Sequence, residues 1–309
     1  VQHYLSLDDV TLQNAWLTIG VFDGVHRGHQ AILQKLTAGA HAQAAPAVVL
    51  TFSPHPAAVL SNRPDFKCLT TPEERAELLG QFGVDVVVTE SFTRELASTS
   101  AADFMGRIKQ HLGLSHLLIG YDFALGHNRE GNYDRLSELG RELDYRVEPL
   151  EAVTNGDEIL SSSKIRRRIT SGDVSGAARS LGRCYALSGP VVHGDGRGRR
   201  INIPTANLDY PLDKVIPSNG VYVCWACIGD EKHQAVINIG INPTFTPDKQ
   251  IPSVEAHILD FDRDLYGQIL KLEFVERLRD ELRFPSVETL LVQIRQDIED
   301  GRKILEEGN

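Results

Sequence analysis

Residues 17–30, Leu-Thr-Ile-Gly-Val-Phe-Asp-Gly-Val-His-Arg-Gly-His-Gln, constrain the fold more than any other stretch of the chain. An apolar run of β type (Trp16, Leu17, Ile19, Val21, Phe22) breaks at Asp23-Gly24, presents His26, Gly28 and His29, and enters a stretch with apolar residues at Ile32, Leu33, Leu36 and Ala40. The pattern predicts a strand, a glycine turn and a helix N-terminus. Unpaired N–H groups and the positive end of the dipole make such a terminus an anion site, and Gly28 lets an anion approach the backbone. Two imidazoles three residues apart, His26 and His29, can face the same anion.

The rest of the first half continues the alternation. Apolar runs at 47–52, 84–88, 116–120 and 146–149 are separated by helix-period segments, clearest at Phe104, Ile108 and Leu112 and again at Leu136, Leu139 and Leu143. Such β/α alternation predicts a doubly wound parallel sheet with ligands at the carboxyl ends of its strands, where His26 and His29 would sit. Two other strand ends carry polar or aromatic clusters. After the second comes Thr51-Phe-Ser-Pro-His-Pro56, from which His55 could project, and after the fourth comes Gly120-Tyr-Asp-Phe-Ala-Leu-Gly126 with Asp122 and Phe123. As residues alone, both also read as ordinary βα loops.

Residues 161–168, Ser-Ser-Ser-Lys-Ile-Arg-Arg-Arg, place Ser161, Ser162 and Ser163 before Lys164, Arg166, Arg167 and Arg168, with Ile165 and Ile169 at helical spacing. Serines capping a helix whose first turns carry cations imply a bound anion, because cations are unfavourable at that end. A solvated basic helix face is the plainer reading. Beyond a boundary near residue 183 the pattern changes to strand-like runs at 185–192, 220–228, 234–241, 254–259 and 269–278 with little helix between them. Short strands separated by Gly and Pro turns predict a closed antiparallel β-barrel. A closing C-terminal helix is expected from Pro285-Ser286, with Val287, Leu291, Ile294 and Ile298 as its apolar stripe.

Within this second half, residues 193–200 (His-Gly-Asp-Gly-Arg-Gly-Arg-Arg) are glycine-rich and basic, with Gly194, Gly196, Arg197, Gly198 and Arg199 suited to wrapping a phosphate. They lead to Pro204-Thr-Ala-Asn207, where the Thr205 hydroxyl and Asn207 amide are oxygen donors suited to Mg²⁺ beside a nucleotide. In residues 253–261 period-two alternation puts Glu255 and His257 on one face and Val254, Ala256 and Ile258 on the other. By spacing alone, Glu255 is a solvent-facing carboxylate.

Composition narrows the function class. The chain has 309 residues, about two domains at roughly 150 each. Its net charge of −10 disfavours a broad nucleic-acid or anionic-membrane surface and fits a small anionic ligand. No run reaches the roughly 18 apolar residues of a membrane span, and the start Val1-Gln2-His3-Tyr4 lacks a basic, then apolar, leader. A soluble cytoplasmic protein is expected. Cys224 and Cys227 lie three apart in a strand-like run and thus on opposite faces, so all four cysteines are expected to be reduced and structural.

The first motif resembles the His-x-Gly-His signature of the nucleotidyltransferase superfamily, whose histidines contact nucleotide phosphates. Over nearly its whole length the chain resembles the bacterial bifunctional riboflavin kinase/FAD synthetase family. The matching residues are Gly20-x-Phe22-Asp23-Gly-Val-His26-Arg-Gly28-His29, Thr51-Phe-x-Pro-His55-Pro56, Leu69-Thr-Thr71, Asp122-Phe123, Ser161-Ser-Ser-x-Ile-Arg166, Gly194-Asp-Gly-Arg-Gly-Arg199, Pro204-Thr-Ala-Asn207 and Val254-Glu-Ala-His-Ile258, in that order. Departures are Ser163 for Thr, Lys164 for Arg, Ala124-Leu125 for Arg-Phe, and Asn202-Ile203 for Gly-Phe.

The resemblance implies two active sites and a division into residues 1–183 and 184–309. The second domain would phosphorylate riboflavin to FMN with ATP, Glu255 acting as base and Thr205 and Asn207 holding Mg²⁺ and phosphates. The first would transfer AMP from a second ATP to FMN, releasing pyrophosphate and forming FAD. There His26, His29, Ser162 and Arg166 would bind the triphosphate, with Asp122 and Phe123 near the adenine or flavin. ATP is then substrate of both reactions, ADP a product, and the chain is a monomer or weak homo-oligomer without nucleic-acid or membrane partners. Two other readings stay open: a class I aminoacyl-tRNA synthetase-like enzyme, which the acidic balance and the 204–207 loop oppose, and a non-catalytic flavin-binding regulator.

Overall fold

A computed structural model describes residues 1–61, 63, 65–120, 123–151, 154–155, 158–194, 198, 201, 203–241 and 251–307. The chain forms two compact units, Val1–Ser162 and Ser163–Asn309. Among the described residues no helix is long and apolar enough to cross a membrane.

In the first unit the elements run β1 (Gln2–Tyr4), β2 (Trp16–Ile19), α1 (Arg27–Ala42), β3 (Ala47–Ser53), α2 (Pro56–Leu60), α3 (Pro72–Gln81), β4 (Val86–Ser91), α4 (Arg94–Ser98), α5 (Ala101–Leu112), β5 (His116–Gly120), α6 (Tyr133–Leu143) and β6 (Arg146–Leu150). A two-residue pair, β7 (Thr154–Asn155) and β8 (Glu158–Ile159), follows. The six-stranded parallel sheet has the order β1-β4-β3-β2-β5-β6. Successive side chains of a strand point to opposite faces. Accordingly Leu17, Ile19, Val48, Leu50, Val86, Val88, Leu117 and Ile119 join one core with α5 and α6, while Trp16, Ala47, Val49, Val87 and Leu118 join another with α1 and α3. Both faces are therefore covered, as expected of a doubly wound sheet.

The strand order reverses at β2. From it the chain proceeds outward through β3 and β4, then returns to add β5 and β6 on the other side. Loops leaving the carboxyl ends of β2 and β5 diverge there and open a crevice. Strand β1, which the sequence pattern did not reveal, pairs with β4 through only three residues, too few to show a periodicity.

The second unit comprises α7 (Ser162–Thr170, which begins at the last residue of the first unit), α8 (Val174–Leu181), β9 (Tyr185–Val192), β10 (Ala206–Leu208), β11 (Gly220–Ile228), β12 (Glu231–Ile241), β13 (Pro252–Ile258), β14 (Ile269–Arg279) and α9 (Val287–Glu307). Six strands close an antiparallel barrel in the order β10-β13-β12-β11-β14-β9, with β9 pairing back to β10. Inward residues alternate as the sequence implied: Tyr185, Leu187 and Val191 on β9, and Val254, Ala256 and Ile258 on β13, are buried. Strand β10 was not legible. Its three residues carry no alternation, yet they seal the barrel and present Asn207.

Two helices differ from expectation. Helix α7 ends at Thr170, so Arg167 and Arg168 lie in its last turn, where the dipole favours cations, rather than in its first turns. Helix α9 spans the expected range, but its buried residues are Asp297, Gly301 and Leu305. The expected stripe is only partly covered, and Val287 is 51% exposed. A Cβ on Gly301 would lie 3.3 Å from Val236, so this glycine lets the helix settle onto the barrel. The Asp297 carboxylate is accommodated there by Arg279, whose Nε and Nη2 donate to it at 2.9 and 2.7 Å.

Candidate active sites

In the first unit, β2 delivers the chain into a turn with left-handed backbone at Phe22 (φ 50°), Gly24 (φ 79°) and Val25 (φ 39°). Non-glycine residues held there cost about 1–3 kcal/mol each and persist only where the surroundings fix them. The fixing groups are visible. The Asp23 carboxylate, 1% exposed, accepts from the backbone N–H of Leu69 (2.9 Å) and Thr70 (3.1 Å), and the Thr70 hydroxyl accepts from Gly24 N–H at 3.1 Å. Asp23 is thus engaged in building the turn.

His26 caps α1, its Nδ1 accepting from His29 N–H at 3.4 Å. The His26 and His29 rings stack with centroids 3.7 Å apart, and Phe22 packs against His29 at 4.9 Å. Gly28 is required below this stack, because a Cβ would come within 3.0 Å of the His26 ring. His29 keeps part of its ring at the surface, but its Nδ1 is enclosed and has no partner. Burial, then His26, then Arg75 hold the His29 imidazole well below its ordinary pKa, so it is neutral at pH 7. A neutral imidazole with part of its ring at the surface beside a helix N-terminus can donate one hydrogen bond from that exposed edge to a phosphate oxygen.

Beside this turn lies a cavity of about 770 Å³. Gly20 and Val21 from the end of β2, Phe52 from β3, Phe92, and Phe123 from the loop after β5 line it, with Arg94 and Arg129 contributing cations. Its flat, aromatic walls suit a planar ring system. Gly20 carries no Cβ where one would meet Phe22 at 3.0 Å. Ser162, the last residue of the first unit, donates from Oγ to the Asp23 carbonyl at 2.8 Å, with Ser161 half-buried beside it. Arg166 donates to the Ser163 hydroxyl at 3.2 Å. His55 lies elsewhere: its Nδ1 accepts from Ala57 N–H at 3.0 Å and its ring packs on Phe66 at 4.3 Å. Asp122 lies outside the described residues.

The sequence reading missed Arg75. It is 3% exposed and donates from Nη1 to the Val21 carbonyl (2.7 Å), the Thr51 hydroxyl (2.8 Å) and the Phe52 carbonyl (3.2 Å). A signal existed: Thr71-Pro-Glu-Glu74 is a helix-start pattern with a capping box, and an arginine in its first turn opposes the dipole.

In the second unit, Asn207 on β10 lies directly opposite Glu255 on β13. The Thr205 hydroxyl is 3.4 Å from Glu255 Oε2. Glu255 and His257 are half-buried and face away from the core that holds Val254, Ala256 and Ile258. His257 Nδ1 donates to the Pro204 carbonyl at 2.8 Å and so fastens the turn ahead of Thr205. Glycines make room for the approaching loop. A Cβ on Gly194 would fall 2.2 Å from Asn207 Nδ2, and one on Gly198 would fall 2.2 Å from the Ile203 carbonyl. Gly196, Arg197 and Arg199 lie outside the described residues. Thr205 also lines a cavity of about 460 Å³ with Pro204, Ala256, Ile258, Arg263 and Tyr266. Hydroxyl, amide and carboxylate oxygens thus converge at one place. Among the described residues no group of three His, Cys, Asp or Glu could hold a metal alone. The four cysteines are free.

Comparison with known proteins gives a match to a family model described as FAD synthetase over residues 8–164 and to one described as riboflavin kinase over residues 181–305. A protein of Listeria monocytogenes named bifunctional riboflavin kinase/FMN adenylyltransferase is 36% identical over 305 residues, 98% of this chain and 96% of the relative. One of the same name from Pseudomonas fluorescens is 37% identical over 293 residues, 93% of this chain and 92% of the relative. A crystal structure named as a macrolide-efflux protein from Streptococcus pneumoniae superposes with a TM-score of 0.89 at 30% identity, covering 97% of this chain and 98% of that one.

Proposed function

The chain belongs to the bifunctional riboflavin kinase/FMN adenylyltransferase family and makes FMN from riboflavin and FAD from FMN, and we propose that the two sites described above divide this work. The observation that carries the assignment is the meeting of Thr205, Asn207 and Glu255 on the barrel. Glu255 takes the proton of the riboflavin 5′-hydroxyl as its oxygen attacks the γ-phosphorus of ATP, and ADP leaves. Thr205 and Asn207 hold the phosphates, with Gly194, Gly196, Arg197, Gly198 and Arg199 wrapping them. The Thr205 hydroxyl, Asn207 amide and Glu255 carboxylate, brought together on neighbouring strands, fit Mg²⁺, which prefers a few protein oxygens completed by substrate phosphates and water. When bound, the ion neutralises charge on the phosphates. Positioning and electrostatics carry the rest of the catalysis.

In the first unit the FMN phosphate attacks the α-phosphorus of a second ATP, forming the diphosphate bridge of FAD and expelling pyrophosphate. His26, His29, Ser162 and the N–H groups of α1 receive the phosphates. The aromatic cavity bounded by Phe52, Phe92 and Phe123 takes the isoalloxazine ring, with Gly20 and Val21 in its lining, while Phe22 packs against His29. Residues 1–183 form the adenylyltransferase and 184–309 the kinase, a division supported by the two family models ending at 164 and starting at 181. ATP use in both reactions supports a cytoplasmic location, and the net charge of −10 supports a monomer or weak homo-oligomer without nucleic-acid or membrane partners.

A time course with riboflavin, ATP and Mg²⁺, separating flavins by chromatography, tests this reading. FMN rises first and is then converted to FAD, with two ATP consumed per FAD. A flavin-binding regulator instead binds riboflavin without consuming ATP, and that result would overturn the assignment.

A further inference from the structure

We propose that Arg75 is a positioning residue for adenylyl transfer: its guanidinium clamps the loop after β2 to the end of β3 and thereby sets the His29 ring where it meets a nucleotide phosphate. The inference rests on the His26–His29 site proposed above. Its geometry is a single nitrogen, Nη1, bridging three acceptors that belong to two strand ends: Val21 O, Thr51 Oγ1 and Phe52 O. Thr51 Oγ1 in turn donates to Val21 O at 2.9 Å, so the clamp is a closed triangle. Val21 immediately precedes Phe22, the left-handed residue whose ring packs on His29. Losing the clamp frees the peptide that orients Phe22, and with it the wall against which the imidazole rests.

The guanidinium is held here by its bonds and by the buried Asp23 carboxylate, the leading group that favours its charge. Arg75 is almost wholly buried, its three bonds go to neutral acceptors, and its Nε is enclosed without a partner. A buried cation so held is costly, and a neutral donor would tie the same carbonyls more cheaply. The nearby groups that bear on its charge are Asp23, Cys68 and Glu73; Asp23 already accepts from Leu69 and Thr70. The guanidinium therefore adds positive potential to a site built for phosphate, while its bonds hold the loop. The charged or titratable groups bearing on His29 are His26 and Arg75.

Two substitutions in the full chain separate bonds from charge, with FMN formation in the same preparation as the control for folding. Arg75→Met lowers kcat for FAD formation from FMN about 100-fold, the scale of a misplaced reacting group. Its acidic limb moves to higher pH, because His29 loses a cationic neighbour. Arg75→Lys keeps the charge but cannot span the three acceptors; kcat falls about tenfold and the limb stays in place. FMN formation is unchanged in both. FAD formation within about twofold of the parent in either variant overturns the proposal. If Arg75→Met fails to fold, Arg75→Lys decides alone. His29→Ala serves as reference: full FAD formation there sinks the site reading beneath, whereas its loss beside an active Arg75→Lys sinks only the clamp.

Discussion

His29 shows how one residue can be legible in sequence as to place and illegible as to state. The strand, glycine turn and helix start expected from the pattern place it beside His26, but its neutrality comes from burial, then from His26, and then from Arg75, which is 46 positions away in the chain. The sign of the consequence follows from linkage. The folded-state pKa lies below the ordinary value of 6.5, so the unfolded chain takes up the proton first, and stability present above that value is lost as pH falls below it. The unfolding free energy of the first unit should fall as pH drops below 6.5, by at most about 1.4 kcal/mol per pH unit from this group, read from denaturant unfolding at each pH. In His29→Gln that contribution should vanish. An unchanged pH dependence in the variant would show that His29 is not held neutral by the fold. Glu255 is the converse case. Alternation fixed its face correctly, but only pairing with β10 shows that Asn207 and Thr205 share it.

Among elements, those long enough to display a period were legible and those that close the architecture were not. Strands β5, β9 and β11 fall at the expected residues, because each has at least five residues with a clear pattern. Strand β10, at three residues, seals the barrel unannounced. Helix α9 was legible in span but not in its facing. Its contact with the barrel uses a glycine and a buried ion pair, neither of which registers in an apolar stripe. The pair is well formed: Arg279 meets Asp297 through two nitrogens, and Gln293 donates to the same carboxylate at 3.0 Å. Removing Asp297 leaves Arg279 partly buried at 19% exposure with only its hydrogen bond to the Asp280 carbonyl among the described residues, so Asp297→Ala should destabilise the second unit by about 2–3 kcal/mol in denaturant unfolding. A loss below about 1 kcal/mol would mean that the helix is held by its apolar contacts alone.

At the scale of the whole molecule, two different folds carry phosphate chemistry by two different devices. A parallel sheet offers a helix N-terminus at its switch point, while a closed barrel offers oxygen donors on neighbouring strands. Periodicity revealed both architectures, and the resemblance to a known family supplied the order of the two reactions. The measurement that tests the account most directly is the pair of activities, FMN from riboflavin and FAD from supplied FMN, in His29→Ala and in Glu255→Gln. Glu255→Gln should lose FMN formation by about 10²–10⁴-fold and keep FAD formation. His29→Ala should lose FAD formation by about 10²–10³-fold and keep FMN formation. If either folded variant loses both activities together, the division of labour between the two units is wrong.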